Sequence, residues 1–266
     1  MQCPLTRRSS GRADSPLQLG ERRSGARVTL HVRRNLNPGE VLTRGRTAAF
    51  EGRPEDALRD FIWFHEHALE HDRAYYGVRL SFALGYWTDL AETYLPARDA
   101  LVKVGKRGEE TLLAGGGDRG LFHEVASINQ NLGRVRDTYE LFRRLLKVQP
   151  ELARKCRDLA VEAIVEAKDF KLASKQLPHP EEFLLWLSER LNGDLTRKGV
   201  SRETAIRRRE AYVHNYCQDV RTAMKILSGL GNFKAVEAAR EWAVALVGPG
   251  KARSMVASKI GLHGPV

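Results

Sequence analysis

What constrains this chain most is where its glycines and prolines fall. From residue 40 onward most of them read as falling between amphipathic segments rather than inside them, and strand-like alternation is scarce. A chain punctuated in this way buries its apolar residues by packing helix on helix. The helical period predicts helices over 40–51, 54–71, 74–92, 94–105, 119–131, 134–147, 151–167, 169–177, 180–192, 202–229, 232–247 and 251–260. With 266 residues and 42% hydrophobic composition, there is enough apolar material for a sizeable core. The fold class is therefore read as all-α.

Three stretches share one pattern. Residues 45–64 read GRTAAFEGRPEDALRDFIWF, residues 126–145 ASINQNLGRVRDTYELFRRL, and residues 224–243 MKILSGLGNFKAVEAAREWA. In each, a helix ends near a glycine (Gly52, Gly133, Gly231). A short turn follows, and a second helix carries inward positions five, nine and twelve residues after that glycine. These are Ala57, Phe61 and Phe64, then Thr138, Phe142 and Leu145, then Val236, Arg240 and Ala243.

This pattern resembles the tetratricopeptide repeat family, in which each repeat is a helix–turn–helix with glycine at the turn and small or aromatic residues in the second helix. The fullest match is Phe122, Ala126, Asn129, Gly133, Phe142, Leu145, Leu146 and Pro150. Leu84, Gly85 and Ala97 continue it over 78–111, and Ala173 over 154–177. The small positions 57, 97, 138, 173 and 236 recur at gaps of 40, 41, 35 and 63 residues, wider than the family's period of about 34.

The resemblance implies a right-handed α-solenoid of stacked antiparallel helix pairs, about 10–12 helices over residues 38–262. Stacked pairs bury a continuous core and leave a concave, helix-lined groove. It also implies a non-catalytic scaffold that binds a protein or peptide there. The candidate partner-binding residues are Asp60, His67, His71, Tyr75, Tyr86, Asn129 and Arg136. Tyr75, Phe82 and Tyr86 share one helix face, where core packing competes with an exposed binding role.

The densest run of chemistry-bearing residues is WFHEHALEHD, residues 63–72. His65-Glu66 opens the His-Glu-x-x-His zinc motif, but Leu69 stands where its second histidine belongs. A helical projection places His65 among Ala57, Phe61, Phe64 and Ala68, as a packed ring with a hydrogen-bond partner. Glu66 and Glu70 point away. His67 and His71 lie one turn apart on the flank with Asp60, so these three are the weak metal candidates. No cofactor is expected.

Other motifs carry less. GGGDRG at 115–120 satisfies G-x-G-x-x-G, but no strand precedes it, and Asp118 reads as the N-cap of the next helix. Residues 197–209, RKGVSRETAIRRR, read as a solvated helix start capped by Ser201, with nucleic-acid contact as the rival reading. The net charge of +11 is uneven. Residues 1–34 hold eight arginines, no lysine and two acids, a local charge of +6 that leaves +5 for the rest.

Residues 1–37 are read as a disordered basic segment. A nucleic-acid arm, an organelle-targeting sequence and a start site placed too early are the alternatives. Three scattered cysteines (Cys3, Cys156, Cys217) suggest a reduced, cytoplasmic setting rather than a disulfide framework. No apolar run is long enough for a transmembrane helix, and no membrane partner is expected. A metal-dependent or nucleotide-linked enzyme is the remaining rival.

Overall fold

The computed structural model describes residues 37–177, 179–196 and 201–261. The basic segment, apart from Asn37, lies outside the described residues, as do Cys3 and the start of the second basic cluster. Among the described residues the regular structure is entirely helical: α1 (Pro38–Phe50), α2 (Pro54–His71), α3 (Tyr75–Leu80), α4 (Phe82–Thr93), α5 (Leu95–Leu113), α6 (Arg119–Asn131), α7 (Val135–Val148), α8 (Pro150–Glu166), α9 (Phe170–Gln176), α10 (Pro180–Thr196), α11 (Arg202–Gly229), α12 (Phe233–Ala245) and α13 (Lys251–Ile260).

Local chemistry explains the starts. Proline occupies the first turn of α1, α2, α5 and α8, where its missing N–H leaves no bond unmade. Side-chain oxygens of Asn37, Asp118, Asp169, Ser201 and Asn232 accept the free amides opening α1, α6, α9, α11 and α12. Two of these caps, Asp118 and Ser201, are those read from the sequence.

Two helices depart from the sequence reading. The segment 74–92 is not one helix. It breaks at Ser81, with φ −122° and ψ −91°, into α3 and α4. Conversely, the helix placed at 94–105 runs on to Leu113. Its buried stripe is Leu101, Gly105, Gly108 and Leu112. Two of those four have no side chain, so the apolar pattern fades there. The space explains the choice, because a Cβ on Gly108 would sit 2.6 Å from Cγ2 of Val125 on α6.

Four turns share one geometry. In the α1–α2, α6–α7 and α11–α12 turns, Gly52, Gly133 and Gly231 adopt φ of 73°, 67° and 76°. In the α8–α9 turn the same place is held by Lys168, with φ 60°. Each of these residues donates its amide to the carbonyl three back, and the next residue to the carbonyl five back. The second set of bonds is Arg53 to Ala48, Arg134 to Asn129, Asp169 to Ile164 and Asn232 to Leu227. The inward positions counted from these residues are buried: Ala57, Thr138, Ala173 and Val236 after five residues, and Phe64, Leu145 and Ala243 after twelve.

Packing is mostly local in sequence. Each helix from α1 to α9 contacts the next, as does each from α10 to α13, and α2 packs on α4, α4 on α6, α5 on α7, α6 on α8, α9 on α11, α10 on α12 and α11 on α13. Beyond that spacing, α1 meets α4, α3 meets α6, and α8 meets α11. The core falls into three clusters. The first centres on Phe61, Phe64, Trp87 and Leu101, the second on Phe122, Phe142, Leu145 and Ile164, and the third on Leu187, Val213, Tyr216 and Val220. Ile128 of α6 joins the first to its neighbours, and Ile226 of α11 extends into the second.

Candidate functional site

Helix α2 sorts its histidines as the helical projection indicates. His65 is buried, 5% exposed, and its ring meets the edge of Trp87 at 5.7 Å between centroids. Its Nε2 lies 2.9 Å from Oε1 of Glu124 on α6. Arg79 of α3 closes the group. Its Nε donates to the His65 carbonyl at 2.6 Å, and its Nη2 donates to Oε2 of Glu124 at 2.7 Å. Three helices are thus tied together by one buried polar cluster.

Its protonation follows from its contacts. Burial pushes the Glu124 carboxyl up, but the His65 hydrogen bond and the Arg79 guanidinium together hold it below the usual carboxylate range. An ionised Glu124 accepts on both oxygens, so Nε2 of His65 carries the proton it donates. Nη2 of Arg79, 3.1 Å from that nitrogen, is then a close contact rather than a donor to it. The cluster is internally satisfied and holds its helices in register.

The residue before Glu124 on α6 makes a second polar contact. The Tyr76 hydroxyl donates to Nδ1 of His123 at 2.9 Å, their rings 5.8 Å apart. Burial, then the nearby Arg119 charge, lowers the His123 pKa, so its ring is neutral at pH 7 and Nδ1 accepts. Arg119 forks onto the Asp158 carboxylate at 2.6 and 2.8 Å. Beneath it, burial pushes the Cys156 thiol up to about 11, which keeps it protonated and unreactive.

The residues singled out from the sequence do not converge. Asp60 is 2% exposed and lies between α1 and α2, its two oxygens accepting from Nε and Nη2 of Arg44 at 2.6 and 2.7 Å. His67 turns to Glu70 at 3.1 Å, and the rings of both His67 and His71 lie tilted against Trp63. Among the described residues no three His, Cys, Asp or Glu side chains are grouped to hold a metal. The grouping of Asp60, His67 and His71 is therefore corrected: the arginine on the neighbouring helix claims the carboxylate. Asn129 is buried too, donating to Thr138 Oγ1 at 3.2 Å, so it joins α6 to α7 and is corrected from a surface to an interior role.

Tyr75 is half-buried, edge-on to Phe64, and belongs to the first core cluster. Tyr86 lies beneath the guanidinium of Arg46, 4.4 Å from its ring centre, where α1 meets α4. Arg136 is exposed at the start of α7. The glycine loop follows α5, not a strand, and Asp118 caps α6 as read. In the second basic cluster, Arg207 pairs with Glu203 at 2.6 Å on an exposed face.

Arg79, Glu124, His123 and Arg46 were not singled out from the sequence. Their partners stand 14 to 59 residues away, beyond any helical spacing. The fold and the site define an all-helical protein whose buried ionisable groups tie helices together. Comparison with models of protein families, with curated proteins and with solved structures gave no match.

Proposed function

We propose that this chain is a right-handed, tetratricopeptide-like α-solenoid that acts as a non-catalytic scaffold, holding a protein or peptide partner in a helix-lined concave groove. The observation that carries this reading is the turn repeated four times, with buried small residues five positions after it, in helices that pack chiefly on their sequence neighbours. The commitment of Asp60, His65 and Glu124 to arginine or histidine partners favours a structural use of the ionisable groups over a catalytic one. Cys156 and Cys217, buried and unpaired, suit a reduced cytoplasmic setting. No helix of the described residues is long and apolar enough to cross a membrane.

The Arg46–Tyr86 pair is the anchor this reading assigns to the groove, since aromatic and arginine side chains dominate binding at protein interfaces. The test is affinity capture with the full chain beside the Arg46→Ala/Tyr86→Ala variant. A discrete protein retained by the parent and lost by the variant supports the scaffold. Equal retention by both removes the groove assignment. Stoichiometric zinc or iron that is lost with His67→Ala/His71→Ala would replace the reading with a metalloenzyme.

A further inference from the structure

Three of the four repeated turns form one continuous edge. The Tyr139 hydroxyl, one turn into α7, donates to Asp169 in the α8–α9 turn at 3.1 Å. The Phe170 ring, next in that turn, packs onto the backbone of Gly229, so close that a Cβ there would lie 2.2 Å from ring carbons. Gly229 ends α11 and opens the third turn. The edge is open at two of its turns: a Cβ on Gly133 or Gly231 would meet no atom of the described residues within 4 Å.

The edge is cationic. Arg136, Lys171 and Lys234 occupy the same place in the three turns, three residues after Gly133, Lys168 and Gly231. Lys168 adds a fourth. All four are exposed, and none has an acidic partner among the described residues. The α1–α2 turn holds Glu55 at that place instead. Two exposed apolar side chains stand among these cations, Phe233 at 66% and Leu230 at 43% exposure, on either side of Gly231. Lys168 is also strained: it takes a left-handed conformation that the other three turns give to glycine. A cation kept at an unfavourable backbone position points to a use for its charge.

We propose that this edge docks the protein on an anionic lipid surface, with Leu230 and Phe233 entering the headgroup layer and Arg136, Lys168, Lys171 and Lys234 meeting lipid phosphates. The shape favours this partner over two others. Leu230 and Phe233 flank a single turn with open space around Gly231, which suits a planar interface. An acidic peptide needs a groove, and single-stranded nucleic acid needs several aromatic platforms for successive bases, whereas Phe233 is the one exposed aromatic among these turns. The proposal moves Arg136 from the groove to this edge and does not depend on what the groove holds.

The test is sedimentation of the full chain with vesicles of phosphatidylcholine containing about one-third phosphatidylglycerol, against vesicles of phosphatidylcholine alone. Every protein compared carries the basic N-terminal segment, so its contribution is constant. The parent binds the anionic vesicles, and each edge cation removed lowers the partition coefficient about fivefold. Phe233→Ser lowers it several-fold with no change in charge. Lys168→Gly weakens vesicle binding while raising thermal stability, a pair of shifts that a merely structural lysine does not give.

Arg98, Lys103, Lys106 and Arg107, exposed on α5, supply a control of equal charge when changed to Gln. That control binds the anionic vesicles as the parent does beyond the salt-dependent effect of net charge. The proposal is overturned if the parent ignores anionic vesicles, or if the α5 control loses as much as Arg136→Gln/Lys168→Gly/Lys171→Gln/Lys234→Gln. Unchanged binding by Phe233→Ser also overturns it. So does an edge effect seen only with a single-stranded oligonucleotide and not with vesicles.

Discussion

Replacing Lys168 by glycine should stabilise the fold, and the magnitude can be worked from its turn. Lys168 holds φ 60°, in the region where Gly52, Gly133 and Gly231 hold 73°, 67° and 76°. A left-handed non-glycine residue costs about 1–2 kcal/mol from the clash of Cβ with the following carbonyl. Glycine also widens the freedom of the unfolded chain, which returns about 0.4–1 kcal/mol of that gain. The net expectation is about 0.5–1 kcal/mol of added stability, or roughly 1–4 °C in Tm for a chain of this size.

The reverse change gives the matched control. A Cβ on Gly133 meets open space, so Gly133→Ala tests the backbone alone and should cost a similar amount. Urea denaturation at constant m value reads the global change. Exchange of the Lys168 and Asp169 amides, bonded to Val165 and Ile164, reads the turn itself and guards against unfolding in pieces. A Lys168→Gly variant no more stable than the parent, with faster exchange at those amides, would refute the shared-turn reasoning.

Three further outcomes are expected. Arg79→Met leaves the Glu124 carboxylate buried without its cation and should cost about 3–5 kcal/mol, most of it recovered when Glu124→Met is added; additive losses by urea denaturation would show that the pair does not act as a unit. Glu124 has a folded pKa below its unfolded one, so its contribution is complete above the ordinary carboxylate range and is lost as pH falls through the lowered value; the stability difference between parent and Glu124→Gln should shrink on acidification below about pH 5, and a constant gap would contradict the assignment. Gly108→Ala forces a methyl to 2.6 Å from Val125 and should cost about 1–3 kcal/mol, partly relieved by Val125→Ala; thermal melting of the two variants checks this.

Much of the fold was legible because its signals are local. Helix class, the glycine turns, the Asp118 and Ser201 caps and the inward placing of His65 each depend on residues within about a turn of one another. The misreadings have equally specific causes. Helix α5 fades from the hydrophobic pattern at Gly105 and Gly108, where close approach to α6 replaces side-chain bulk. The fourth turn hid behind Lys168, because left-handed geometry was sought through glycine. Asp60 was grouped with His67 and His71 by helical face, although Arg44 on the adjoining helix claims it.

By itself the sequence determined that the chain is helical, where most helices start, and which small and aromatic positions face inward. Period, capping and turn chemistry act over a few residues and need no knowledge of the neighbours. Only the tertiary structure decided which charges meet. His65, Arg79 and Glu124 come from three helices, and the cationic edge exists because Phe170 seats one turn against another. Ionic partnership depends on distances of a few ångströms in space, and those are set by packing rather than by order along the chain.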